Sequence, residues 1–208
     1  MEYAYRYGDP GRLYLNVTNR CTNRCSFCVR YHTRSLGGAV LWGGLEPDLI
    51  ALQNAVRARG APEDFNEFIW CGFGEPTYRL DLIIEAAEWL HSGGATVRLN
   101  TNGHACLIHG RDVLAELATA VDAVSVSLNA PNCQKYLELC LPDPTSIPNG
   151  IVLTPGDFWK ATLDFLARAP EYFREVQASV VGFTLSAEEI EESRALAHSI
   201  GIERFRVR

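Results

Sequence analysis

Residues 12–18 read Arg-Leu-Tyr-Leu-Asn-Val-Thr, and the alternation in this stretch decides the fold. Leu13, Leu15 and Val17 fall on one face of a strand, and Tyr14, Asn16 and Thr18 fall on the other. The same split recurs downstream. Val97 and Leu99 oppose Arg98 and Asn100, and Val124, Val126 and Leu128 oppose Ser125, Ser127 and Asn129. Val176, Ala178 and Val180 oppose Gln177 and Ser179, and Phe205 and Val207 oppose Arg204, Arg206 and Arg208. One face of each strand is apolar and needs helices over it. The other carries amides, hydroxyls and guanidinium groups, which is too polar for the branched apolar interior of a closed eight-stranded α/β barrel. Each unsatisfied polar group in a dry core costs about 1–3 kcal/mol, so the concave side has to be wet or ligand-filled.

Helical segments lie between these strands. Leu49–Arg59, Leu80–His91 (stopped by Gly93-Gly94), Asp112–Ala118, Asp157–Ala169 (stopped by Pro170) and Ser186–Ile200 carry helical spacing. Ser186 and Glu189 have the spacing of a capping box. With strands at Glu67–Cys71, Thr96–Asn100, Ala123–Leu128, Glu175–Val181 and Arg204–Val207, the alternation means parallel strands with right-handed crossovers. The expected class is α/β: an open, partial (β/α)6 TIM-like barrel, a parallel sheet with outer helices and the last helix missing, formed by residues 1–208 as one domain. Ala4–Tyr7 is expected to add an N-terminal strand. Leu141–Gly156 holds four of the ten prolines, and a stretch of that length reads as a lid or substrate loop, or else as a plain insertion.

Composition sets outer limits. The chain has 208 residues, 47% hydrophobic and 21% charged, which is globular and not disordered make-up. A net charge of −6 argues against a broad nucleic-acid-binding surface. Basic charge is almost all arginine, with lysine only at Lys135 and Lys160, which matters where guanidinium groups cluster around a carboxylate or phosphate. No run approaches the roughly 18 apolar residues of a membrane span, and the N-terminus lacks the apolar centre of a signal peptide. Seven cysteines is an odd and sparse count for a disulfide scaffold. A reducing, cytoplasmic setting and metal ligation fit better.

Directly after the first strand comes Arg20-Cys21-Thr22-Asn23-Arg24-Cys25-Ser26-Phe27-Cys28-Val29-Arg30. Three thiols fall within eight residues at the carboxyl end of a strand, where α/β proteins place their active sites. Thiolates select soft metals and iron–sulfur clusters. A complete cubane takes four cysteines, so either a distant cysteine completes the set or one iron stays open for catalysis. Outside enzymes the reading is a zinc-binding interaction module, but zinc sites come as two separated Cys-x2-Cys units, and Cys133 and Cys140 are spaced too widely to form the second. Further along, Cys71-Gly72-Phe73-Gly74-Glu75-Pro76-Thr77 ends the second strand. It fails as a dinucleotide-binding Gly-x-Gly-x-x-Gly, because Thr77 takes the third glycine position. Gly74 is read as admitting a ligand close to the backbone, and Pro76 as ending the strand.

Cys21-x3-Cys25-x2-Cys28, with Phe27 before the last cysteine, resembles the signature of the radical S-adenosylmethionine (radical SAM) superfamily. The resemblance implies a [4Fe-4S] cluster on Cys21, Cys25 and Cys28. S-adenosylmethionine would chelate the fourth iron and yield a 5′-deoxyadenosyl radical that removes hydrogen from the substrate. Gly72, Phe73, Gly74, Glu75 and Pro76 resemble the family's Gly-Gly-Glu-Pro segment, whose carbonyls hold the SAM amino group; Phe73 departs from the commonest first glycine. Asn100, Ser127, Asn129 and Val181 fall at strand ends that the resemblance assigns to the cofactor, with Ser127 and Asn129 suited to ribose or carboxylate and Val181 to adenine. The chain looks most like the small TatD-associated radical SAM group, for which no substrate is implied. A glycyl-radical-enzyme activating enzyme and a ring-rearranging enzyme like 7-carboxy-7-deazaguanine synthase are the alternatives within the superfamily. The implied partners are a small-molecule or peptide substrate and a reductant such as flavodoxin or ferredoxin.

The last strand points to the substrate's charge. Alternation puts Arg204, Arg206 and Arg208 on its polar side, and Arg20, Arg24, Arg30 and Arg34 flank the cysteine loop. An anionic substrate bound by Arg206 and Arg208 is the expectation. The remaining cysteines are given no cluster role: Cys71 reads as a small strand residue and Cys140 as a thiol beside the proline-rich loop. His32, His104 and His109 read as structural ahead of acid–base groups.

Overall fold

The computed structural model describes residues 1–148 and 152–208. In chain order it contains β1 (Ala4–Tyr5), β2 (Arg12–Leu15), a small hairpin of β3 (Ser35–Leu36) and β4 (Ala39–Val40), α1 (Leu49–Arg57), β5 (Glu67–Trp70), α2 (Leu80–His91), β6 (Thr96–Thr101), α3 (Ala105–His109), α4 (Leu114–Leu117), β7 (Ala123–Ser127), α5 (Cys133–Cys140), α6 (Pro155–Arg168), β8 (Glu175–Val180), α7 (Ala187–Ser199) and β9 (Arg204–Val207). The main sheet runs β1-β2-β5-β6-β7-β8-β9. β1 pairs antiparallel with β2, and every other pairing in it is parallel. β1 and β9 are its two ends, so the barrel is open.

Strand alternation sorts the two faces as expected in β2, β6, β7 and β8, but on the edge strand β9 Val207 is exposed instead of covered by a helix. Leu13, Leu15, Phe68, Trp70, Val97, Leu99, Val124 and Val126 are buried in one apolar cluster with Leu52, Ile83, Phe158 and Phe165 from the helices. A satellite cluster of Tyr5, Ala39, Leu41 and Phe73 lies under the β3–β4 hairpin. Helix ends follow their caps. Ser186 and Glu189 exchange hydrogen bonds of 3.2 and 2.7 Å at the start of α7, and Asp48 caps α1 through the N–H of Ala51 at 2.8 Å.

The helices around the third and fourth crossovers differ from those expected. The helix expected over Asp112–Ala118 is only the four-residue α4, preceded by α3, because Gly110 at φ 62° ends that helix in the left-handed region. Helix α5 carries no helical signature in the sequence: only Tyr136 and Cys140 are buried on it, too thin a stripe to register as helical spacing. The proline-rich stretch accordingly runs from α5 to α6, with Leu141 at φ 46° turning the chain out of α5. Its first part is tied down: Asn23 and Pro142 form an isolated bridge, Asp143 N–H reaches Thr22 O at 2.8 Å, and Tyr78 Oη donates to Ser146 O at 2.8 Å. The part of the expected lid at 149–151 lies outside the described residues.

Candidate radical SAM site

The cysteine loop leaves the carboxyl end of β2 and is held from two sides. On one side, Arg24 N–H donates to Cys140 O at 3.0 Å and Ser26 N–H to Leu139 O at 2.9 Å, so the end of α5 splints the loop. On the other, a buried polar network grips Thr22 and Asn23. Thr22 Oγ1 meets His104 Nδ1 at 2.7 Å and accepts Asn102 Nδ2 at 2.7 Å. Asn23 Nδ2 donates to Tyr136 Oη at 3.0 Å, and Tyr136 Oη lies 3.1 Å from His104 Nε2. His104 is fully buried, and desolvation pulls its pKa down to about 3. It is a neutral scaffold residue, in line with the structural reading. His109 likewise ties Thr77 O through Nε2 at 2.7 Å.

The three thiols are free and half-buried. Cys21 Sγ accepts the N–H of Asn23 at 3.5 Å, and Cys28 takes a backbone hydrogen bond from Arg30. Burial pushes the Cys21 thiol up to about 12 and raises Cys28 too. Cys25 is raised first by a hydrogen bond with Cys140, then by burial. Thiols so placed stay protonated unless a cation draws the proton off, which is what thiolate ligation of iron does. Three soft donors on one loop, two already receiving main-chain N–H groups, fit an iron–sulfur cluster. Among the described residues no three His, Cys, Asp or Glu side chains converge on a single ion. A cubane does not ask for that, since its cysteines sit on different irons.

The Gly72–Pro76 segment leaves β5 beside this loop. Phe73 N–H donates to buried Asn16 Oδ1 at 3.1 Å. A Cβ at Gly74 would lie 2.5 Å from both Thr18 O and Arg20 O. What approaches this glycine is therefore the cysteine loop's own backbone, a correction to the ligand-approach reading. Glu75 is buried, and its carboxylate is fully engaged. Oε1 accepts Thr77 Oγ1 and Thr101 Oγ1 at 2.8 Å each, and Oε2 accepts Asn102 N–H at 2.8 Å. Burial pushes its carboxyl above the usual range against the pull of those donors. Pro76 starts the following 3-10 turn, and Phe27 is half-buried against the main core.

The polar faces of the strands enclose a cavity of about 180 Å³ lined by Tyr14, Ile69, Asn100, Ser125, Gln177, Arg206 and Arg208, with Arg12, Glu67, Arg98 and Glu175 toward its floor. The floor charges pair in a ladder of three arginines and two glutamates. Glu67 pairs Arg12 at 3.0 Å and Arg98 at 2.6 Å, and Glu175 pairs Arg98 at 2.9 Å and Arg204 at 2.8 Å. Arg204 is thus spent on the floor. Arg208 Nη2 donates to Ser127 Oγ at 3.3 Å and Asn129 Oδ1 at 3.4 Å. Arg206 lines the cavity with no carboxylate partner among the described residues. Asn129 sits at φ 61°, and its Nδ2 donates to Cys140 Sγ at 3.6 Å. Asn100 Oδ1 is buried without a partner. Val181 O already accepts Thr184 N–H and Oγ1, at 3.1 and 2.7 Å.

Two sequence expectations need adjusting. The arginines around the loop do not act as one field, because Arg20 pairs with Glu46 at 2.8 Å and Arg24 with Asp143 at 2.6 Å. Cys71 is more than an apolar strand residue: by alternation from Ile69 it turns to the concave side, and Asn100 hydrogen-bonds its sulfur. The Glu75 latch and the contact of Cys140 with Cys25 escaped sequence reasoning, since both join elements distant along the chain.

Comparison with known proteins agrees with this geometry. No curated protein matches the chain. Among solved structures it resembles Streptococcus suis SuiB bound to precursor peptide SuiA (16% identity, TM-score 0.63, covering 95% of this chain and 39% of that one). It also resembles TYW1 with a lysine-pyruvate adduct bound (14%, TM-score 0.59, 95% and 64%) and methylornithine synthase PylB (13%, TM-score 0.59, 95% and 52%). The chain therefore spans less than two thirds of the length of each, and at such identities the likeness is one of fold. The profile of the Radical SAM superfamily, whose members use a [4Fe-4S] cluster and S-adenosylmethionine, matches residues 15–197. That span takes in the cysteine loop, the Glu75 turn and the strands from β5 to β8, and on it the chain belongs to the Radical SAM superfamily of enzymes.

Proposed function

We propose that this chain carries the radical-forming centre of an enzyme that abstracts hydrogen from an anionic substrate. Cys21, Cys25 and Cys28 hold the cluster, and S-adenosylmethionine lies across the ends of β5 to β8. When bound, the cluster supplies the electron that splits S-adenosylmethionine into methionine and a 5′-deoxyadenosyl radical. The protein's own contribution is placement. Gly72 to Pro76 offer main-chain groups to the cofactor, because the Glu75 carboxylate is already filled. Asn100, Ser127, Asn129 and Val181 edge the same mouth, with Asn100 Oδ1 the acceptor still to be matched.

The observation that carries this reading is a polar cavity whose floor arginines are paired while Arg206 is not, with Arg208 of its lining within electrostatic reach of Cys25. A cavity of about 180 Å³ is roomy enough for a carboxylate or phosphate head group. Arg206 is open to solvent at one side, and the cleft shape still concentrates guanidinium charge near such a group despite the net charge of −6. The fold accommodates both a peptide, as in SuiB with SuiA, and a small adduct, as in TYW1, so either can present the anion. The electron comes from a carrier such as flavodoxin or ferredoxin. The finer resemblance, to the TatD-associated group, rests on Thr18–Cys28, Cys71–Thr77, Asn100–Asp112 (with His104 and His109) and Ala123–Pro131 and leaves the substrate open.

The test is anaerobic reconstitution with iron and sulfide followed by dithionite and S-adenosylmethionine. Release of 5′-deoxyadenosine without substrate is expected. An iron-loaded protein that binds S-adenosylmethionine and never cleaves it would overturn the proposal.

A further inference from the structure

Arg30 occupies an unusual position for a cation. Its Nη1 donates to Asn19 O and Phe73 O, both at 3.4 Å, and its Nη2 to Asn23 O and Tyr31 Oη, both at 3.0 Å. All of these acceptors are neutral. They fix the guanidinium across the cysteine loop and the Phe73 turn without cancelling its charge. The Tyr31 ring lies 5.0 Å from Cζ and adds to the hold. Its Nε is buried with no partner. The neighbouring loop arginines differ: Arg20 and Arg24 each meet a carboxylate.

A half-buried charge without a counter-ion is costly, so an anion that offsets it is to be expected close by. The anionic candidates next to Arg30 are the cluster thiolates. Cys21, Cys25 and Cys28 all lie within its electrostatic reach, and its own main-chain N–H already points at Cys28.

We propose that Arg30 sets the reduction potential of the cluster held by Cys21, Cys25 and Cys28, its fixed charge stabilising the negative charge that one-electron reduction adds. This rests on the cluster assignment made above. The step is simple in balance: one electron passes from a low-potential donor to the cluster, the donor is oxidised, and no proton or bond is exchanged. Arg30 is a positioning and electrostatic residue that need not touch the substrate. Hydrogen bonding and local charge are the levers by which proteins move cluster potentials over wide ranges.

The experiment is a redox titration of the reconstituted full chain, followed by the EPR signal of the reduced cluster, for the wild type, Arg30→Gln and Arg30→Lys. In Arg30→Gln the ratio of reduced to oxidised cluster at a fixed potential should fall about tenfold, equivalent to about 59 mV for a one-electron couple. Arg30→Lys keeps the charge and should stay within about twofold of wild type. Loss of the cluster from Arg30→Gln alone would make the charge a requirement for holding the cluster instead of for its potential, and overturns the proposal as stated. An unchanged ratio in Arg30→Gln, an equal fall in both variants, or loss of the cluster from both overturns the proposal. A wild-type chain that takes up no cluster overturns instead the assignment beneath it.

Discussion

The carboxylate of Glu75 accepts the main-chain N–H of Asn102 at 2.8 Å, and that bond joins the end of β5 to the end of β6. Its other oxygen takes the hydroxyls of Thr77 and Thr101, so one buried side chain fixes two strand ends at the mouth of the barrel. Asn102 in turn holds Thr22, and the latch reaches the cysteine loop in one more step. Glu75→Gln turns one acceptor oxygen into a donor facing other donors. It should lower stability by about 1–3 kcal/mol, read as a lower urea midpoint of the cluster-free protein. An unchanged midpoint would mean that the latch contributes nothing.

Iron content separates ligands from bystanders. Cys21→Ala, Cys25→Ala and Cys28→Ala should each abolish stable iron and sulfide binding. Substitution of Cys71, Cys106, Cys133 or Cys140 should leave about four iron per chain. Cys140 is the demanding case, because its thiol is buried and hydrogen-bonds Cys25. If it were a fourth ligand, no iron would be open to S-adenosylmethionine. Cluster loss in Cys140→Ser, or about eight iron in the wild type, would contradict the three-cysteine assignment.

The strands, their faces and the open barrel were legible because a period of two is written residue by residue, as in Leu13, Leu15 and Val17 against Tyr14 and Asn16. The cysteine spacing was legible for the same reason: the donors are neighbours in the chain. What was not legible depends on contacts across the fold. Nothing near Gly74 announces that Thr18 and Arg20 will press their carbonyls against it. Arg20 and Arg24 look like free cations until Glu46 and Asp143 arrive from 26 and 119 residues away. Arg30 reads identically in sequence, and only its neutral acceptors distinguish it.

Acid should loosen the network that grips the cysteine loop. His104 is buried and held near pKa 3, against an ordinary 6.5. The unfolded chain therefore takes up a proton that the folded chain refuses. Stability present above about pH 6.5 is lost as pH falls toward 3, by up to about 5 kcal/mol from this residue. His104→Gln removes the titrating group, so its urea midpoint should fall less than the wild type's between pH 7 and pH 4. Parallel pH profiles for the two proteins would place the acid sensitivity elsewhere.

Arg206 offers the sharpest test of what the cavity binds. Its neighbours on the floor, Arg12, Arg98 and Arg204, each pair with Glu67 or Glu175, and Arg208 is shared between Ser127 and Asn129. Arg206 thus has a charge to give to a ligand at little internal cost. Its removal should leave the fold and the cluster loop intact, because no hydrogen bond or ion pair among the described residues depends on it. Once a substrate is identified, Arg206→Leu should raise KM by the equivalent of about 1.5–3 kcal/mol, the worth of a charge-assisted hydrogen bond. Substrate-free cleavage of S-adenosylmethionine should continue at the wild-type rate, since that step needs only the cluster loop and the strand ends. Arg206→Lys should recover part of the loss, because it restores the charge without the planar fork. An unaltered KM in Arg206→Leu would mean that the anion is bound elsewhere, and a parallel fall in substrate-free cleavage would move Arg206 from the substrate to the cofactor.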